Sequence, residues 1–120
     1  MTVLLAEELR ATDKMCDRWA KERRDIEASI KCTLHNMALR KEGVVLEGPF
    51  EMSDASCYID RIYLTSPARE KSLLVVWYTD SAPVVIKARK LGISRAQIYI
   101  EWKQLLAYVR GRLHGVGLDV

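Results

Sequence analysis

The sequence predicts an all-α fold. Apolar residues recur at helical spacing along most of its 120 residues. Helix-start signals, Ser53, Ser66-Pro67 and Ser94, punctuate the C-terminal half. Only residues 43–53 favour extended backbone, and that one short stretch has no partner strand in the sequence, so no sheet is expected.

Residues 2–23 read as the first helix, with Thr2 as a cap and Leu5, Leu9, Cys16 and Trp19 mainly on one face. Helical spacing continues over 25–41 through Ile26, Ile30, Leu34 and Met37. A break near Arg23–Asp25 is open, although no residue there forces one. Gly43 stops the helix. Residues 43–53, GVVLEGPFEMS, read as a loop with at most one short strand. Gly43, Gly48 and Pro49 punctuate them, while Val44, Val45 and Leu46 favour extended structure.

Ser53 or Asp54 caps a helix to about Leu64 that buries Tyr58, Ile59 and Ile62. Ser66-Pro67 starts another, since serine is a good N-cap and proline is tolerated at the first helical position. It runs to about Tyr78 and buries Leu73, Leu74, Val76 and Trp77. Thr79-Asp80-Ser81 forms the next junction, with Ser81 as cap. A fifth helix covers roughly 82–91 and a sixth roughly 94–113, where Ile98, Trp102, Leu105, Val109 and Leu113 recur at helical spacing. The tail HGVGLDV reads as loose. The whole, 1–120, reads as one domain: an N-terminal helical part and loop to residue 52, then a helix-turn-helix part over 53–113.

Residues 83–113 carry the strongest motif. Ala88 is small enough for two helices to approach, and Gly92, four residues on, can take the positive φ that a sharp turn needs. Ser94 with Gln97 has the spacing of a capping box. A helix that starts this way after such a turn belongs in a DNA major groove, which makes double-stranded DNA the expected partner. Its first turn exposes Arg95, Ala96 and Gln97, with Tyr99 and Lys103 along or near the same face. Arg95 and Gln97 are the candidate base readers, because guanidinium and amide groups bond guanine and adenine edges in pairs. Ser94, Lys87, Arg89, Lys90 and Lys103 suit phosphates. The plain alternative is that Arg95 and Gln97 only cap and solvate the helix. An exposed Ile100 would point to a protein contact.

Charge supports the motif. Between Lys87 and Arg112 seven cations face Glu101 alone, a local +6 within a chain of net +3, so the remainder sums to −3. A basic end on an acidic body is the footprint of nucleic-acid binding. The plain alternative is a set of solvated helix faces.

Other classes find little support. No apolar run approaches the length of a membrane span, and MTVLLAEELR has no basic leader region. Cys16, Cys32 and Cys57 are odd in number and widely spaced, which argues against a disulfide framework and for a reducing cytoplasm. Cys32 and His35 make one Cys-x2-His pair. Zinc sites usually present two close pairs, so a buried thiol and a surface histidine are the simpler reading, with no metal and no other cofactor. His35 and His114 are the sole histidines, and no phosphate loop, nucleophile elbow or HExxH pattern occurs. The chain is not expected to be an enzyme. Asp60 beside Arg61 reads as a surface or interhelical ion pair. Trp19, Trp77 and Trp102 lie on apolar stripes and read as core anchors. Trp77 and Tyr78 are adjacent, so one of them leans outward.

The order of a helix containing IDRIYL, then SPAREKSLLVVWYTD, the turn motif and a long final helix resembles region four of bacterial primary sigma factors. More narrowly, Arg18-Trp19, Ile59-Asp60, Trp77-Tyr78 and the turn Leu91–Ser94 resemble the phage antitermination protein Q family in its smaller, phage 21-like type. The resemblance spans about residues 10–113 and is sparse. It implies a transcription regulator that binds DNA at or beside a late promoter, engages bacterial RNA polymerase or its sigma factor, and lets it read through terminators. Some members carry a zinc-binding insertion whose paired cysteines are absent here. Two departures stand out. Glu101 occupies a position that such motifs usually give to an apolar residue, and its neighbours Ile100 and Trp102 leave room for a helix rotated by about one position. Val84, Val85 and Ile86 lower helix propensity before the turn, so that helix depends on packing. Two other readings stay open: a simple repressor or activator, and a polymerase-binding or sigma-binding module without DNA binding.

Overall fold

The computed structural model describes residues 6–40 and 53–118, and for 28–40 the helical backbone alone. It is all-α: α1 (Glu7–Arg40), α2 (Asp54–Thr65), α3 (Ala68–Leu74), a π-helical turn (Val75–Thr79), α4 (Val84–Lys90) and α5 (Arg95–Gly115). Among the described residues no helix is long and apolar enough to cross a membrane. Thr2, Leu5, and the loop read over 43–53 apart from Ser53 lie outside the described residues.

One continuous helix covers Glu7–Arg40, and the break left open near Arg23–Asp25 does not occur. No glycine or proline interrupts residues 7–40, so the backbone ladder has no reason to stop at Arg23–Asp25. Leu9, Thr12, Cys16, Trp19 and Ala20 form its buried stripe at three- and four-residue spacing. α1 packs against α2, the π-helical turn and α5.

Helix α2 starts at Ser53, whose hydroxyl accepts the Ser56 backbone N–H at 3.4 Å and donates to Glu22 on α1 at 2.9 Å. Ile59 and Ile62 point inward, but Tyr58 is 36% exposed, which corrects its expected burial. Trp19 donates its indole N–H to Asp60 at 3.0 Å, and Arg23 reaches the same carboxylate oxygen at 3.6 Å. The Arg23 guanidinium also lies 4.7 Å from the Tyr63 ring centre. The interhelical ion pair expected of Asp60 is therefore made with Arg23, and two sequence landmarks, Trp19 and Asp60, meet across the core.

Ser66 ends α2 rather than capping α3. Its hydroxyl donates to the Ile62 carbonyl, and Pro67 holds the N-cap position with no side-chain bond. The helix through Tyr78 is also not uniform. The π-helical turn begins with β-branched Val75 and Val76 and shifts the register by widening the last turn. Tyr78 is thereby buried while Val76 and Trp77 are half-buried, the reverse of the expected order. Tyr78 donates its hydroxyl hydrogen to Asp13 of α1 at 2.7 Å and accepts the Trp102 indole N–H at 3.0 Å. Burial pushes the Tyr78 hydroxyl up, with the nearby Cys16 and Asp13 adding to the effect. Burial also pushes the Cys16 thiol up to about 12.

Candidate nucleic-acid interface

Helix α4 starts at Val84 after Pro83, later than expected, and Ser81 does not cap it. Asp80 organises the junction instead. It accepts the Ala82 backbone N–H at 2.9 Å and pairs with the Lys90 ammonium. That ammonium and the Ala82 N–H hold the Asp80 carboxyl below the usual carboxylate range.

The turn after α4 is a Schellman motif. Gly92 has φ +70°, its N–H bonds the Arg89 carbonyl at 3.1 Å, and the Ile93 N–H bonds the Ala88 carbonyl at 3.0 Å. Ala88 is 2% exposed, so a larger side chain there would separate the helices. Ser94 then caps α5 by accepting the Gln97 backbone N–H at 3.1 Å. Ile98, Trp102, Leu105, Val109 and Leu113 are all buried, as the spacing predicts.

The carboxylate of Glu101 is buried and paired with Arg69 of α3. The long helix is therefore not rotated to hide Ile100. Glu101 sits at the inward position and a counter-ion from the neighbouring helix meets it. As far as Leu118 the tail is not loose either, and Asp119 and Val120 lie outside the described residues. Gly117, at φ +89°, and Leu118 close a second Schellman motif on the His114 and Leu113 carbonyls, and Leu118 packs against the core.

The candidate contact residues divide into two groups. Ser94, Arg95, Gln97 and Arg89 are exposed, and Lys103 is half-buried. Lys87 and Lys90 are bonded to the fold: Lys87 is half-buried, and Lys90, although exposed, is paired with Asp80. The Lys87 ammonium donates to the Trp77 carbonyl at 2.7 Å and lies 5.3 Å from the Trp77 ring centre. Burial holds Lys87 below its ordinary value, with Asp80 opposing. Tyr99 is half-buried with its ring edge-on to Trp77, 5.8 Å between centres, and Trp77 stacks on Trp102 at 4.6 Å. Arg112 also serves the fold, donating to Thr65 at 2.8 Å and Tyr108 at 3.0 Å. Arg110 pairs with Glu8 at 3.9 Å.

The local +6 is thus partly internal, and Arg89, Arg95 and Lys103 are the cations without a salt bridge among the described residues of this segment, apart from Lys87 and Arg112, which donate to oxygens of the fold. The outward side of α5 adds residues that the charge and capping signals did not single out: Gln104 is exposed, and Ile100 is 49% exposed. Their i+4 spacing was the available signal. Cys32 and His35 belong to the part of α1 described by backbone alone, and among the described residues no group of histidine, cysteine or acidic side chains could hold a metal ion. No protein-family model, curated protein or solved structure matches this chain.

Proposed function

We propose that this chain is a sequence-specific DNA-binding transcription regulator of the phage Q type. In this reading it is an antiterminator that loads onto bacterial RNA polymerase at a promoter, in the host cytoplasm, and permits read-through of terminators. One observation carries the DNA-binding part: a capped helix N-terminus projects Arg95, Ala96 and Gln97 into solvent beyond a turn shaped by Ala88 and Gly92. The Q-type part is supported by the landmarks of the resemblance. Trp19 bonds Asp60, and Tyr78 bonds Trp102 at the root of the turn. The proposed role is not enzymatic.

The test is selection of genomic fragments by the purified protein, with Arg95→Ala as control. The expected result is enrichment of a short element overlapping one promoter, lost in the variant, followed by terminator read-through on that promoter. Enrichment without read-through would leave a simple repressor or activator. No enrichment by folded protein would favour a polymerase-binding module without DNA binding, a reading that the exposed Ile100 supports.

A further inference from the structure

The outward side of α5 is not a uniformly charged surface. Ile98, Glu101, Trp102 and Leu105 face the core, which leaves Ala96, Gln97, Ile100 and Gln104 facing solvent. Ala96 and Ile100 are four residues apart and stack one above the other on a helix. Together they make a narrow apolar ridge with an amide beside each member, Gln97 and Gln104. Cations lie near it: Arg95 in the first turn and Lys103 in the third, both on the side of the ridge opposite the amides, and Arg89 on α4. The lysines that could have added charge near the turn are held by the Trp77 carbonyl and by Asp80.

We infer that Ala96 and Ile100 read thymine methyl groups, so that the element recognised by α5 contains A·T pairs at its centre. The inference rests on the proposed DNA-binding function and names its specificity. The thymine C5 methyl is the apolar group that base edges offer in the major groove, while amides bond adenine in pairs. Two ridge residues one turn apart are separated by roughly 6 Å along the helix. That is close to two base-pair steps of about 3.4 Å each. The cations beside the ridge suit the phosphates of a groove wall. A groove with an apolar spot on its floor and acidic walls complements this face in both shape and charge.

The experiment uses the full chain and a duplex selected from a random pool. Deoxyuridine, which lacks only the methyl group, then replaces each thymine in turn. The expected result is a selected site with central A·T pairs and about fourfold weaker binding on loss of one or two particular methyls, the factor for one buried methylene-sized group. Ile100→Ala, an exposed substitution, should bind the thymine duplex about as weakly and show no further loss with deoxyuridine at the same position. A selected site that tolerates every deoxyuridine, or has a G·C centre, overturns the inference and leaves DNA binding intact. Ile100→Ala with unchanged affinity overturns it too, and assigns the ridge to a protein partner. Failure to select any site overturns both this inference and the proposed function.

Discussion

Glu101 on α5 lies buried with its carboxylate against the guanidinium of Arg69 on α3. The pair replaces an apolar contact at the point where the second helix of the turn crosses the body. A buried ion pair of this kind is weak evidence for stability, but breaking one half of it is costly. The Arg69 side chain is 70% exposed, so solvent screens much of the loss. Arg69→Ala should destabilise by about 1–2 kcal/mol, because Glu101 keeps its charge and loses its partner. Glu101→Leu should lie within about 1 kcal/mol of the parent or above it, since it restores an apolar contact. Urea midpoints at constant slope measure both. A larger loss in Glu101→Leu than in Arg69→Ala would show that the carboxylate contributes through a different contact.

Gly92 takes φ +70° with nothing within 4 Å of the position a Cβ would occupy. The cost of a side chain there is therefore backbone strain alone. Gly92→Ala should cost about 1 kcal/mol and Gly92→Asn less, because asparagine tolerates the left-handed region. Thermal unfolding of the two variants gives the comparison. Equal losses would mean that the turn had changed its conformation.

Glu22 and Asp80 couple stability to acid. Burial alone would raise the Glu22 carboxyl, but hydrogen bonds from Ser56, Ser53 and Arg18 outweigh it and hold it below its ordinary value of 4.5. Asp80 is held below 3.8, chiefly by Lys90. A carboxyl depressed in the folded state binds its proton more readily when unfolded. Its contribution is complete above the ordinary value and is lost as pH falls through and below it. Unfolding free energy should therefore decline below about pH 4.5. Glu22→Gln and Asp80→Asn should each flatten that decline when urea unfolding is repeated at successive acidic pH values. An unchanged slope in both would assign the acid sensitivity to other carboxyls.

The parts of the fold legible in the sequence are those fixed by local chemistry. Ser94 is exposed and caps because its hydroxyl reaches the Gln97 N–H three residues away, a purely local distance. Ile98 through Leu113 follow the helical period because α5 is regular. The expected burial of Val76 and Trp77 failed because it assumed one period through residue 78, whereas the π-helical turn shifts the register and brings Tyr78 inside. The uninterrupted α1 needed only the absence of a breaker. Tertiary proximity was not legible. No spacing rule connects Arg69 to Glu101, Lys87 to the Trp77 carbonyl, or Lys90 to Asp80, so charge alone ranked Lys87 and Lys90 with Arg89, Arg95 and Lys103.

That distinction between cations yields the sharpest test of the candidate interface. Lys103 and Arg95 hold no salt bridge among the described residues, whereas Lys87 donates to the Trp77 carbonyl at 2.7 Å. A phosphate contact releases counter-ions, so its loss lowers the slope of log affinity against log salt by about one. Lys103→Ala should show this change and weaken all sequences alike. Arg95→Ala should cost about 1–3 kcal/mol on the selected site and relax its specificity. Lys87→Ala should leave the salt slope unaltered. Its effect should fall on stability, by about 1–2 kcal/mol, because a carbonyl within the π-helical turn loses its donor and Trp77 loses its cation. Titration of a labelled duplex at several salt concentrations, with unfolding of each variant in parallel, separates these effects. A lowered salt slope in Lys87→Ala would mean that the ammonium leaves Trp77 when DNA binds, and would return Lys87 to the phosphate-contacting set.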